Sequence, residues 1–418
     1  MSAAAFIAPV IPVLVGVVFL ELAVGALGPV AGVQLVARNA SAGLVGLVAS
    51  AHYAGFLAGA LTAHRAIDRV GHVRAFSALA VVAATATLLH GLIDPPIAWA
   101  AFRFSIGWAL AGLFVVAESW LNDKATAVTR GRTFATYMVV SWAASGVGPL
   151  VLTVGDPLDY RYFTAIGIAF ALAVLPMALT TVGNPEVEQR AHFGIVRLFR
   201  VSPLGVAACF GAGLVGSAFY GMAPVYVEAI GLDAKHLSVL LSTAIIGALV
   251  VQFPIGWLAD RLGRRPLMLA CGLAAAGLAV AIAWTGGRSF ESLLALVFLF
   301  GSATAPFYAL GVGQTNDYIT QREFVAASGG LLFAWGLGAS AGPSAAALVM
   351  SWAGAPGLFV YLAVVLGAIS LFTIYRMYRR RAFPAAQQGN FLPIEPATCA
   401  PGLDPRSAQR PETARASA

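Results

Sequence analysis

Charge is what this sequence has least of. Asp, Glu, Lys and Arg make up 10% of its 418 residues, against roughly 25% in soluble domains. Hydrophobic residues make up 59%, more apolar surface than a soluble fold of this length could hide. Cysteine is nearly missing. Cys209, Cys271 and Cys399 are scattered, which excludes a disulfide framework or a cysteine metal site, and no cofactor is expected. No Gly-rich loop ending in Lys-Ser/Thr is present, so nothing points to ATP hydrolysis. Long polar stretches are also scarce, which argues against a sensor carrying a sizeable soluble domain.

What the chain does have is apolar runs. A spanning helix needs about 20 apolar residues, and twelve such runs can be marked at about 8–36, 42–63, 75–93, 96–121, 132–153, 161–183, 203–228, 236–259, 267–285, 291–315, 324–350 and 355–378. The first lacks a basic leader and is too long for a signal core, so it reads as a retained helix. The 45 glycines suit membrane helices, where small residues let backbones approach. Residues 184–202 form the one long polar break. They divide a six-helix bundle at 1–183 from a second at 203–381. Residues 382–418 carry prolines and alanines without an apolar period and read as a disordered cytoplasmic tail.

The formal net charge of +7 could suggest nucleic acid. The placement of the basic residues gives a different account. With the N-terminus inside, thirteen Lys/Arg fall in inner loops and four (Arg38, Arg161, Lys235 and Arg288) in outer ones. Basic residues gather in cytoplasmic loops, so the charge is an orientation signal, both termini are expected to be cytoplasmic, and no nucleic-acid partner is expected.

Internal repeats point the same way. Asp68 and Gly71 recur as Asp260 and Gly263; Asn122-Asp123 recurs as Asn316-Asp317; Gly148-Pro149 recurs as Gly342-Pro343. Each pair falls at the same place in its half. The expected fold is an all-α membrane protein of twelve transmembrane helices, arranged as two parallel-repeat six-helix bundles.

On the charged cassette Gly256, Asp260, Arg261, Gly263, Arg264 and Arg265, the chain resembles the major facilitator superfamily. Its first copy keeps Asp68, Arg69, Gly71 and Arg74, but His64 replaces the leading glycine. Arg103-Phe-Ser-Ile-Gly107 looks like the family's helix-four arginine motif. Gly43-Leu-Val-Gly-Leu-Val, Ala117-Glu-Ser-Trp-Leu-Asn-Asp123 and Arg130-Gly-Arg132 are similar to the bacterial YcaD-like branch. The resemblance covers about residues 8–378. It implies an inner gate in which Asp260 caps helix five and Asp68 helix eleven. It also implies that helices one, four, seven and ten line a cavity.

The residues carry their own physical reading. Gly71 and Gly263 permit tight turns. Asp68 and Asp260 could accept hydrogen bonds from a neighbouring helix start. Arg69, Arg74, Arg261, Arg264 and Arg265 could gate, pair with acids or lipid heads, or only set topology. Glu21 and Arg103 lie inside spans, where an ion facing lipid costs about 2.5–3.5 kcal/mol. They should face a wet cavity or each other, as a proton-coupling acid with its modulator or as a static pair. Glu118 lies near the inner mouth, either in an inner salt-bridge network or on a proton exit path. Tyr220, Tyr308 and Gln314 are candidate substrate contacts; Ser217 and Thr304 fall in the same spans. His52 and Tyr53 read as a pH-sensitive pair or a structural one. Small residues repeat every four positions from Ala326 to Ala346, with Ser141, Ser145 and Pro149 in span five and Gly55 with Gly59 in span two. These stripes are expected to form the seam between the halves.

The expected function is secondary transport of a small organic solute across the bacterial cytoplasmic (inner) membrane, by alternating access. Efflux against protons, as an antiporter, is the first reading. Proton-coupled uptake of a sugar, organic acid or other nutrient is the alternative. A membrane enzyme would need a catalytic cluster, and His90 with Asp94 is the one loose pairing of that kind. No enzyme activity is expected.

Overall fold

The computed structural model describes residues 10–125, 129–179, 194–286, 289–320 and 323–379. The expected central segment is seen from residue 194 onward, with a short helix at Ile195–Val201. The tail, 382–418, lies outside the described residues. Among them there is no strand, and twelve helices are long and apolar enough to cross a membrane.

In chain order, α1 is Ile11–Ala37, α2 Ala42–Val70, α3 His72–Leu92 and α4 Ala98–Lys124. Helix α5, Arg130–Val147, tightens into a 3-10 turn at Gly148–Thr153, where Pro149 removes a backbone donor. Helix α6 is Arg161–Ala178. The second half follows with α7 Pro203–Ala229, α8 Ala234–Leu262, α9 Arg264–Thr285, α10 Phe290–Asn316, α11 Phe324–Ala353 and α12 Gly357–Arg379. Helix α10 is interrupted at Ala305, with Pro306 opening its second part. These bounds match the spans read from the sequence to within a turn or two.

Two turns are shorter than expected. The charged hairpins are helical on both sides of a single glycine. Gly71 joins α2 to α3 at φ 82° and ψ 166°. Gly263 joins α8 to α9 at φ 81° and ψ 156°. Only glycine occupies this region without strain, and both halves place it at the same corner.

The helices pair in one pattern, used twice. In the first half α2 packs on α4, α1 on α5 and α3 on α6; in the second, α8 packs on α10, α7 on α11 and α9 on α12. The parallel repeat is thus a repeat of contacts as well as of sequence. Hydroxyls inside the helices return their protons to the preceding turn, as Thr62 does to Ala58 O and Thr373 to Ile369 O. That satisfies them without water. Large apolar side chains remain exposed on the outside, among them Leu175, Val364, Leu371 and Trp284, as a lipid-facing surface requires.

The halves meet where α2 packs on α11, α1 on α7 and α8 on the end of α5. At the end opposite the charged hairpins the joint is tight. Ser50 Oγ lies 2.8 Å from Ser344 Oγ. Ser238 Oγ donates to Pro149 O and Ser242 Oγ to Gly146 O, each at 2.8 Å. Gly46 backs onto Pro343 and Ala347, and Gly32 onto Pro224, so closely that a methyl group would overlap them.

This corrects the expectation for the small-residue stripes. Gly338 and Gly342 face the backbone of α7, Gly55 and Gly59 face α4, and Ser145 meets Gly25 of α1. All are contacts within one half. A row spaced every four residues drifts about 40° per step around a helix, so one stripe cannot stay on the seam. Pro149 does lie on the seam.

Candidate functional site

Between the halves lies a cavity of about 360 Å³, lined by residues of both. Helices α1, α4, α7 and α10 all contribute, and so do α2, α5, α8, α11 and α12. Its walls are mainly apolar and aromatic. Tyr53 and Phe56 of α2 meet Trp335 of α11 edge to face, at centroid distances of 6.0 and 5.9 Å. An aromatic wall therefore bridges the two halves. Trp142 of α5 and Tyr220, Thr304 and Tyr308 of the second half complete its polar fringe.

Two charged groups stand in this surface. Glu21 is 6% exposed and Arg103 8%, and both line the cavity. Among the described residues neither has a hydrogen bond or an ion pair. The Arg103 guanidinium lies beside Gly28, 3.9 Å from where a side-chain carbon on it would stand. Glu21 is seven residues back along α1, on nearly the same face and about 10 Å away along the axis. The two charges thus share a cavity without pairing. The static ion pair, one of the two readings left open by the sequence, is not formed.

Tyr220 and Tyr308 line the cavity; Gln314, though 3% exposed, lies outside its lining. Six residues separate Gln314 from Tyr308, which turns it about 120° away on the helix. Glu118 is fully buried and also outside the lining. It accepts a hydrogen bond from Tyr137 Oη of α5 at 3.1 Å, tying α4 to α5. His90 is spent on packing: its Nδ1 lies 2.8 Å from Ala86 O, and its ring packs against Trp99 and Phe163. Asp94 is exposed.

The hairpin residues divide into two sets. Asp68, Arg69, Arg74, Asp260 and Arg261 are exposed. Arg261 stacks on Trp257, 3.9 Å from the ring centre. Arg264 and Arg265 are buried, not turned toward lipid heads. Arg264 is ion-paired with Asp317 and donates to Gly313 O at 2.7 Å. Arg265 donates to Tyr318 Oη at 2.6 Å. Asp317 and Tyr318 were not among the expected site residues. Asp317 was visible only as half of the repeated Asn-Asp mark, which gave its position but not its partner. Trp142 and Trp335 were also missed. Tryptophan in mid-span, away from its usual place at the membrane interface, was the available signal.

The chain is 27% identical over 380 residues to the uncharacterised MFS-type transporter YcaD of Escherichia fergusonii, covering 90% of this chain and 98% of that one. It is also 27% identical over 363 residues to YcaD of an Escherichia coli strain, covering 85% and 93%. Among solved structures, the nucleoside transporter NupG superposes with a TM-score of 0.74 at 13% identity, covering 89% of this chain and 99% of that one. A D-xylose-proton symporter superposes at 0.72 and 15%, covering 93% and 100%. The family model described as Major Facilitator Superfamily matches residues 13–244 and again 207–409, one match starting in each half. This chain therefore belongs to the Major Facilitator Superfamily and is an integral membrane transporter of that fold.

Proposed function

We propose that the protein is a secondary active transporter that moves a small organic solute by alternating access and couples the movement to protons through Glu21. The observation that carries this reading is an unpaired, nearly buried carboxylate on the wall of the cavity between the halves. Desolvation favours the neutral form of a carboxyl group, so such a group can take a proton on one side and release it on the other. The driving force is adequate, since one charge crossing 100 mV yields about 2.3 kcal/mol.

The hairpin end is proposed to face the cytoplasm, following the bias of basic residues, in the bacterial inner membrane. Asp68 and Asp260 are proposed as latches of that end, with Arg69, Arg74 and Arg261 beside them at the surface. Tyr220 and Tyr308 are proposed substrate contacts. Gly148-Pro149, repeated as Gly342-Pro343, carries no direction of transport. In the structure Gly148 packs on Gly25 and Pro149 O accepts from Ser238, so the pair has a packing role that supports neither direction. Arg103, charged and unpaired in the same cavity, favours the second reading, solute and proton moving together.

The test is flux in proteoliposomes with an imposed pH gradient, an internal pH dye and a panel of small organic solutes. Solute-dependent proton movement is expected in the wild type and is expected to be lost in Glu21→Gln protein that still elutes as a folded species. Full pH-driven flux in Glu21→Gln would remove Glu21 from the mechanism. The orientation is checked with Arg69→Cys in a Cys399→Ser background: a membrane-impermeant thiol reagent should label it only after intact cells are permeabilised.

A further inference from the structure

Arg103 raises a question that proton coupling does not answer. Its guanidinium is more than nine-tenths buried, faces the cavity, and has no hydrogen-bond or ion-pair partner among the described residues. A guanidinium is charged at any physiological pH and presents a planar fork of donors. The acid nearest in sequence logic, Glu21, is about 10 Å along α1, too far to share one small ligand group with it.

Two lining residues carry further polar atoms without a hydrogen-bond partner. Trp142 Nε1 has no partner, and an indole nitrogen only donates. His52 Nδ1 is also unpartnered. Beside them stand the rings of Tyr53, Phe56 and Trp335. The cavity therefore offers a cationic fork and an aromatic wall, at a volume suited to a small molecule.

We infer that the cargo is a small organic anion, held by its carboxylate-like head on Arg103 with its apolar or aromatic body against Tyr53, Phe56 and Trp335. The inference rests on the proton-coupled reading and deepens it. With Glu21 ionised the empty cavity is neutral, Arg103 balancing it; with Glu21 protonated it carries one positive charge. An anion arriving with Glu21 ionised would leave a net negative charge in a mainly apolar site. An anion arriving with a proton on Glu21 keeps the count balanced. Anion and proton thus favour each other's binding and travel in the same direction. The other titratable groups facing Glu21 are His52 and Tyr53 from α2, Tyr220 from α7 and Tyr308 from α10; Arg103 is the only fixed charge named in that lining.

The experiment uses the full chain in lipid nanodiscs and three probes of matched shape: phenylacetate, its neutral amide phenylacetamide, and the cation phenethylamine. Binding is read from tryptophan fluorescence and from the thermal unfolding midpoint, at mildly acidic and mildly alkaline pH. Phenylacetate is expected to give a saturable response, with the amide and the amine silent at equal concentration. Its affinity is expected to fall at least about tenfold in Arg103→Gln, to recover in part in Arg103→Lys, and to weaken with rising pH in the wild type but not in Glu21→Gln. Equal responses to the three probes, a preference for the amide or amine, or no saturable response to phenylacetate overturns the anion site. The three-probe comparison needs no variant, so it decides even where Arg103→Gln fails to fold. If the probes fail while Glu21→Gln still abolishes pH-driven flux, the anion site falls and proton coupling stands. Phenylacetate binding through Arg103 that ignores both pH and Glu21→Gln overturns the linkage of anion to proton.

Discussion

Arg264 and Asp317 are ion-paired at the hairpin end of the second half, with side chains only 1% and 3% exposed. The first half lacks this pair. His72 is the first residue of α3, as Arg264 is of α9, and Asp123 stands where Asp317 does. Asp123 pairs instead with its neighbour Lys124, at 2.7 Å and near the surface. A buried pair is costly to break from one side, because the survivor is a desolvated charge. Asp317→Asn or Arg264→Met should therefore destabilise the protein by about 3–5 kcal/mol. Asp123→Asn should cost no more than about 1 kcal/mol. Thermal unfolding in nanodiscs measures both, and equal losses at the two sites would contradict the asymmetry.

The glycine corners give a second expectation. Gly71 and Gly263 have φ of 82° and 81° with extended ψ, a region in which any side chain is strained. Gly71→Ala and Gly263→Ala should each cost about 1–3 kcal/mol. Asparagine, which often replaces glycine in ordinary left-handed turns, should not do better here. An asparagine variant as stable as wild type would show that the corner is less constrained than its dihedral angles imply.

The seam opposite the hairpins can be locked. Ser50 and Ser344 lie on different halves with their oxygens 2.8 Å apart. In a Ser50→Cys/Ser344→Cys protein, mild oxidation should form a cross-link and stop transport. Reductant should restore it. The native Cys209 and Cys271 are buried. Undiminished flux in fully cross-linked protein would mean that this end does not need to part.

A pH effect is expected at the start of α8. Asp233 caps that helix, accepting from the backbone N–H of Lys235 and His236 at 3.0 Å each. Those bonds, with the His236 ring beside it, hold its carboxyl below the usual carboxylate range. A depressed folded value means that the stabilisation is present above the ordinary carboxylate range and is lost as pH falls through the lower folded value. Asp233→Ala should cost about 1 kcal/mol near neutrality. Its deficit should shrink below about pH 4. A deficit that stays constant with pH would assign the loss to something other than the charged cap.

Much of this molecule was legible in its sequence because its strongest signals are one-dimensional. Hydropathy marked the twelve spans, and the paired Asp-Gly marks fixed the repeat that the helix contacts reproduce. Glu21 and Arg103 stood out because a charge in an apolar run has few reasons to be there. Pairing was harder to read. Sequence could not say that Glu21 and Arg103 share a cavity without touching, or that Arg264 turns inward to Asp317. Trp142 and Trp335 were missed because an aromatic in an apolar run looks the same whether it faces lipid, a neighbour or a cavity. Gln314 was grouped with Tyr308 because both lie in span ten, although helical rotation turns them to different faces.

The hydrogen bonds described across the seam run between hydroxyls or from hydroxyl to backbone carbonyl, with no charged group in them. Dissolved salt screens charges over about 8 Å at physiological ionic strength and has little hold on contacts of this kind. The opposite end carries Asp68, Arg69, Arg74, Asp260 and Arg261 in contact with solvent. Ionic strength therefore acts on the two ends unequally, and added electrolyte is a means of loosening one gate while leaving the other as it was.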